Sequence, residues 1–413
     1  MAAEADAPAL RLPPPPWLAD PALTAVLRAL PGARLVGGCV RDALAGRAVA
    51  DIDLATPEPP EAVMRRLGDA GLRAVPTGLA HGTVTAVSDH RGFEVTTLRR
   101  DVETDGRHAT VAWTGDWRED AARRDFTFNA MSMTPDGAVY DYFGGAADLR
   151  AGRVRFVGDP AARIAEDYLR ALRFFRFHAR YGHGAPDPAA LDAIRASVPG
   201  LSRLSAERVW SELKRILATP DPRGAVRLMA ELGVLAAVLP EGADPARLAA
   251  LVAAGAPADP LLRLAALLTG DPAALAERLR LSAAERDRLM ALRAADTTDA
   301  AGAPPGASSG VPAPGWDADA LRRALAETPA EVLAGRTWLA GGSGPEWDGL
   351  RARLAALPRP RFPLEGRDAV ALGVAPGPRV GELLRAVRAW WMAGGCTASA
   401  AACRAELARL AAG

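Results

Sequence analysis

Apolar positions between residues 21 and 150 change period several times. Residues 23–30 and 61–70 repeat at helical spacing, and residues 40–45 open another helix. Residues 34–36 form a short apolar run ending on Gly37-Gly38, and residues 52–55 read as a second brief strand. Residues 83–87 and 93–98 are β-rich runs with turn formers between them, the pattern of a hairpin. After Arg150 the strands stop. Residues 160–295 are predicted as helix after helix, and residues 316–413 return to helix around a Gly/Pro loop at 373–381. The pattern predicts an α+β fold: an N-terminal unit with a small mixed sheet, then an all-helical remainder.

Two stretches carry little pattern. Residues 1–20 hold PPPP and predict a loose arm. Residues 296–315, DTTDAAGAPPGASSGVPAPG, predict a linker or disordered insertion. No internal repeat with a fixed period is visible.

Composition narrows the class. The chain has 413 residues, is 49% hydrophobic and carries a net charge of +1, so its overall charge gives no hint of a nucleic-acid partner. Mean hydropathy is +0.02, and no run of about 18 apolar residues exists, so nothing is expected to span a membrane. Cys39, Cys396 and Cys403 have neither zinc spacing nor the number for a disulfide framework. A reducing compartment fits, and with no signal peptide at the N-terminus the cytoplasm is the expectation. Lys214 is the only lysine, as a GC-rich genome would produce.

Local chemistry is more informative. In LVGGCVRDALAGRAVADID, residues 35–53, a glycine pair precedes Arg41 and then two aspartates one residue apart. Side chains at i and i+2 of a strand share a face, so Asp51 and Asp53 are expected to project together. Two co-facing carboxylates suit magnesium, a hard cation that prefers oxygen. Glu94, on a neighbouring predicted strand, is placed to join them in a two-metal phosphoryl-transfer site. A D-x-D in a surface loop is the alternative. Gly37-Gly38 lets backbone N–H groups approach a phosphate, and Arg41 offers a fixed fork of donors to a triphosphate.

Residues 163–180, wound as one helix, put Ile164, Tyr168, Leu172, Phe175 and Ala179 on one face. Asp167, Arg170 and Arg173 lie opposite, with Phe174 and Phe177 among them, and Arg176 falls near the apolar edge. Surface salt bridges explain such a face; a nucleotide site explains it too. A carboxylate only accepts hydrogen bonds and a guanidinium only donates them. Adenine and cytosine present an amine beside a bare ring nitrogen, whereas guanine and uracil present the reverse. Asp167 with Arg170 would therefore accept the first pair and leave unpaired groups against the second, at about 1–3 kcal/mol each.

Arg123 and Arg124 either clamp phosphates or pair with Glu119 and Asp120. The segment between Arg99 and Asp120 reads as a mobile loop or a β excursion. Trp390 and Trp391 are expected to pack the core of the last helical region, with stacking on RNA as the alternative. The five histidines form no His-Asp dipeptide pattern.

The motifs together resemble a known family. GGCVRD followed by DID is similar to the first motif of the class II tRNA nucleotidyltransferase and poly(A) polymerase family. Further motifs follow in order: ARRDFTFNAMS at 122–132, DYFGGAADLRAGRVRFVGDP at 141–160, RIAEDYLRALRFFRF at 163–177 and SAERVWSEL at 205–213. The match is close in the N-terminal half and loose beyond it, where PLEGRDAVALGVAPGPRVGELL at 363–384 carries it. The resemblance implies a catalytic head at 21–150, a neck with a nucleotide-recognition helix at 151–220, a body at 221–295 and a tRNA-binding tail at 316–413. It implies template-independent addition of CCA to tRNA from CTP and ATP, with Mg2+ on Asp51 and Asp53, Glu94 as third ligand or support, and no DNA or membrane partner. Gly38, Arg41, Arg123, Arg124, Asp167, Arg170, Arg173 and Arg176 would contact the nucleotide. Poly(A) synthesis, partial CC or A addition, and an inactive RNA-binding relative are the alternatives.

Overall fold

The computed structural model describes residues 7–104, 109–294 and 310–412, with residues 101–104 and 109–111 described through their backbone alone. The chain divides into two compact units, Met1–Val238 and Leu239–Gly413.

The first unit is built on ten strands: β1 (Leu10–Arg11), β2 (Arg34–Val36), β3 (Asp53–Thr56), β4 (Arg73–Gly78), β5 (Thr83–Ser88), β6 (Arg91–Thr97), β7 (Arg99–Thr104), β8 (Ala109–Trp113), β9 (Ser132–Met133) and β10 (Ala138–Tyr140). Eight of them form one mixed sheet in the order β1-β10-β9-β2-β3-β6-β5-β4. Every junction is antiparallel except β3 with β6, which run parallel and place Asp53 directly beside Glu94. The expected hairpin is β5 and β6, with Thr83 opposite Thr96. Burial alternates residue by residue along β5, because one face packs on helices α1 (Pro21–Ala29) and α3 (Pro60–Asp69). Between them in sequence, α2 (Gly38–Leu44) leaves the end of β2 at the glycine pair.

The N-terminal segment is not wholly a loose arm. Leu10–Arg11 pairs with Val139 and Ala138 at the sheet edge, and Leu18 is buried within a short 3-10 turn at Pro16–Ala19. The approach needs Gly137: its φ is +84°, and a Cβ there would collide with the Leu12 carbonyl. The segment expected as a loop or β excursion contains β7 and β8, a separate two-stranded ribbon; residues 105–108 lie outside the described residues. Most of the predicted 296–315 linker also lies outside them.

Helices α4 (Trp117–Ala122) and α5 (Gly145–Arg150) complete the sheet region. The helical part of this unit then holds α6 (Pro160–Glu166), α7 (Leu169–Tyr181), α8 (Pro188–Ser197) and α9 (Ala206–Leu217), with α7 packed on α9. Here two expectations fail. The run 163–180 is not one helix: it breaks at Asp167, whose backbone is extended and whose carboxylate accepts a hydrogen bond from the Leu169 N–H. Phe174 does not lie among the charges, whereas Phe177 does: the guanidiniums of Arg41, Arg173 and Arg176 lie 5.2, 5.6 and 4.5 Å from its ring centre. Both are buried, Phe174 against Phe156 and Phe177 against Phe126 and Phe128, and this aromatic cluster joins α7 to the sheet region.

The second unit is helical from Pro245–Ala253 to Ala400–Ala412 among the described residues. Leu321, Leu325, Leu333, Leu350 and Leu354 form one of its cores, and Leu383, Val387, Trp391 and Leu407 anchor another. The tryptophan pair divides: Trp391 packs this core with its ring edge-on to Phe362, and Trp390 is 40% exposed.

Candidate active site

The first unit holds a cavity of about 1040 Å3. Gly37, Gly38, Asp51, Asp53, Arg123, Arg124, Asp167 and Arg170 all line it, as do Arg41, Arg173 and Arg176. The carboxylates of one region thus share a single space with the acceptor–donor pair of another. Glu94 stands next to Asp53 in the sheet but is not part of the lining.

Local structure explains the carboxylate end. β2 and β3 are antiparallel, so the end of β2 meets the start of β3, with Val36 opposite Asp53. The glycine turn and Asp53 therefore emerge at the same sheet edge. Gly37 has a φ of +68°, which glycine adopts without strain, and a Cβ there would press on Arg124 at 3.1 Å. Behind this edge Cys39 is buried, and burial pushes its thiol up to about 11.

Asp53 is held above the usual carboxylate range. Partial burial is the main cause, the charge of Glu94 adds to it, and Asp51 contributes less; Arg124 opposes them. Among the described residues no side chain hydrogen bonds to the carboxylates of Asp51, Asp53 or Glu94; the Cys39 thiol reaches only the Asp53 carbonyl. Asp125 and Asp167, the other acids of the lining, both have arginine partners. Two unpaired carboxylates repelling each other at the wall of an open cavity are a donor set that suits a hard divalent cation. No group of three His, Cys, Asp or Glu side chains among the described residues gathers for an ion, and Asp51 and Asp53 are the cavity-wall carboxylates without an arginine partner.

The arginines are held in place by acids. Asp120 is buried and takes Arg123 at 2.7 Å and Arg124 at 3.1 Å, so both arginines pair with Asp120 and both also face the cavity. Glu119 instead accepts from Thr114. Arg41 donates to Asn129 Oδ1 at 2.7 Å, Asn129 Nδ2 donates to Asp125 Oδ1 at 2.9 Å, and Arg173 Nε donates to Asp125 Oδ2 at 2.7 Å. That chain of bonds runs from α2 to α7. The Arg173 guanidinium and the Asn129 amide hold Asp125 below the ordinary range despite its burial.

Asp167 and Arg170 do not pair with each other. Asp167 accepts from Arg208 at 2.7 Å, and Arg170 bonds Glu166 and donates to the carbonyls of Arg163 and Arg123. Arg176 pairs with buried Glu212, and desolvation lowers its pKa to about 10. Sequence reading missed Asn129, Glu166, Arg208 and Glu212 as the groups that orient the site. The Glu166–Arg170 spacing of four was an available signal.

A mixed sheet bearing paired carboxylates beside a glycine turn, joined to helices that close an arginine-lined cavity, defines a nucleotidyltransferase head with a helical extension. Residues 33–155 match the Poly A polymerase head domain, and residues 185–244 match the probable RNA- and SrmB-binding site of polymerase A. The chain is 37% identical over 377 residues to the mitochondrial CCA tRNA nucleotidyltransferase 1 of Danio rerio, covering 87% of this chain and 83% of the relative. It is 34% identical to the CCA-adding enzyme of Geobacillus thermodenitrificans, covering 86% and 87% of the two chains. A crystal structure of the Bacillus stearothermophilus CCA-adding enzyme in complex with CTP superposes with a TM-score of 0.73 at 27% identity, covering 94% of this chain and 98% of that one. The protein belongs to the class II CCA-adding enzyme and poly(A) polymerase family of nucleotidyltransferases.

Proposed function

We infer that this protein adds C and A nucleotides from CTP and ATP to the 3′ end of tRNA, without a template and with release of pyrophosphate. The observation that carries the reading is the single cavity lined by Asp51 and Asp53 together with Asp167 and Arg170. One nucleotide can then touch the carboxylates through its phosphates while its base meets the acceptor–donor pair.

In this reading Arg41, Arg123 and Arg124 receive the triphosphate. Their positions are fixed beforehand by Asn129 and Asp120, so little reorganisation is needed when substrate arrives. Arg173 and Arg176 line the far wall and are oriented by Asp125 and Glu212. Asp167 accepts from the exocyclic amine of cytosine or adenine, and Arg170 donates to the ring nitrogen beside it. Arg208 and Glu166 hold those two groups apart, so that the base, not the partner residue, completes the hydrogen bonds. Asp51 and Asp53 would hold magnesium, which supplies charge neutralisation at the α-phosphate and activates the terminal 3′-hydroxyl. Glu94 acts from beside Asp53, raising the negative charge that draws the cation. The helical second unit holds the body of the tRNA by shape and backbone contacts. Three free, buried cysteines suit a reducing compartment such as the cytoplasm.

The test is incubation with tRNA lacking its last three nucleotides, supplying CTP and ATP separately and together. CC addition with CTP alone and completion with both is the expected result. Long A tails without C would replace this reading with poly(A) synthesis.

A further inference from the structure

A second cavity of about 460 Å3 adjoins the first, and Arg47 and Arg180 line both. Its remaining wall includes Arg150 and His183, over a floor with Leu44, Ala146 and Leu149. No carboxylate lines it. The arginines of the larger cavity described above are paired with acids. Arg47, Arg150 and Arg180 have no carboxylate partner among the described residues. Arg47 donates to the Arg180 carbonyl at 2.8 Å, and the Arg47 and Arg180 guanidiniums lie 4.9 and 5.6 Å from the centre of the Tyr181 ring. Tyr181 is itself anchored by donating its hydroxyl to Asp42. Gly152 leaves room for the His183 ring, which a Cβ at that position would strike. Arg47 and Arg180 are thus held against Tyr181, while Arg150 reaches the same cavity from an exposed position.

We propose that this cavity seats one nucleotide of the tRNA acceptor strand upstream of the growing 3′ end. Its phosphodiester meets Arg47, Arg150 and Arg180, and its ribose or base face rests on Leu44 and Leu149. Three like charges converging without a counter-ion repel one another, and an anion relieves them. The apolar floor and the absence of a carboxylate suit a sugar–phosphate better than the triphosphate of a substrate that must also meet a metal. The shared arginine wall continues the path that strand takes from the larger cavity. The proposal rests on tRNA being the substrate.

Arg150→Gln is the test, because Arg150 lines this cavity and not the larger one, is exposed and has no side-chain partner among the described residues. The expected outcome is a KM for tRNA raised about five- to tenfold with the KM for CTP unchanged, and a salt slope of tRNA affinity shallower by about 0.7–0.9. A tRNA with a neutral methylphosphonate linkage at the contacted position should bind the normal protein more weakly and the variant no differently. Ala146→Trp, which fills the floor, should produce the same tRNA-specific loss with unchanged circular dichroism. An unchanged tRNA KM and slope, or equal losses for tRNA and CTP, overturns the proposal. So does competition by millimolar inorganic phosphate that vanishes in the variant with tRNA affinity intact, which would mark a free-anion site. If neither protein incorporates CTP or ATP, the catalytic reading fails, and the salt slope still reports on this cavity.

Discussion

Asp53 concentrates the tension at the residue scale. Its carboxyl is held above the ordinary range by burial and by Glu94. A carboxyl whose folded-state pKa exceeds its unfolded value costs stability at neutral pH, where it is ionised, and that cost fades as pH falls through the raised pKa. Asp53→Asn should therefore raise the melting temperature at pH 7 while cutting nucleotide incorporation by about a thousandfold or more. Differential scanning fluorimetry at pH 7 and again near pH 4 checks the sign, since the gain should shrink at the lower pH. Behind it, Cys39 is buried with its thiol pushed up to about 11, so it should resist thiol reagents until the chain unfolds.

At the scale of elements, α7 does two jobs with different faces. Leu172, Phe174 and Phe175 bury, and Arg170, Arg173 and Arg176 reach the cavity, with the Phe177 ring beneath two of them. Glu212 on α9 holds Arg176 from behind in a buried pair. Removing one partner of such a pair strands the other, so Glu212→Gln should cost about 3–5 kcal/mol in urea denaturation. Arg170→Ala should relax base choice, with misincorporation of GTP and UTP rising by roughly five- to a hundredfold, as the loss of a 1–3 kcal/mol contact implies. The helix starts were written plainly in the chain: Asp-Pro opens α1, α6 and three helices of the second unit, the aspartate capping and the proline at the first helical position. The break at Asp167 was not, because apolar spacing runs across it without interruption. Periodicity reports which face buries, not whether the backbone pauses for one residue to let a carboxylate cap the next helix.

At the scale of the molecule, every residue lining either cavity lies in the first compact unit. A chain of residues 1–238 should keep CTP binding measurable by calorimetry and lose most of its affinity for tRNA, since the second unit supplies the remaining RNA contacts in our reading. Acid should unfold the first unit through Asp120 and Asp125. Both carboxyls lie below the unfolded value, held there by Arg124 and Arg123 in one case and Arg173 in the other. The stability they contribute is present above about pH 4 and is lost as pH falls through their depressed pKa values, which a pH series of melting temperatures will show.

Residue order alone determined the α+β class, the D-x-D after its glycine turn, the arginine-rich helix and the family, because each is written in contiguous residues whose spacing is local. Tertiary structure decided the partners. Whether Phe174 faces charge or core, and which carboxylates are left without a cation, depend on groups far apart in sequence. Those choices are made by packing and charge in three dimensions, where Leu10–Arg11 finds a sheet edge more than 120 residues away and Asp125 finds Arg173 on another element.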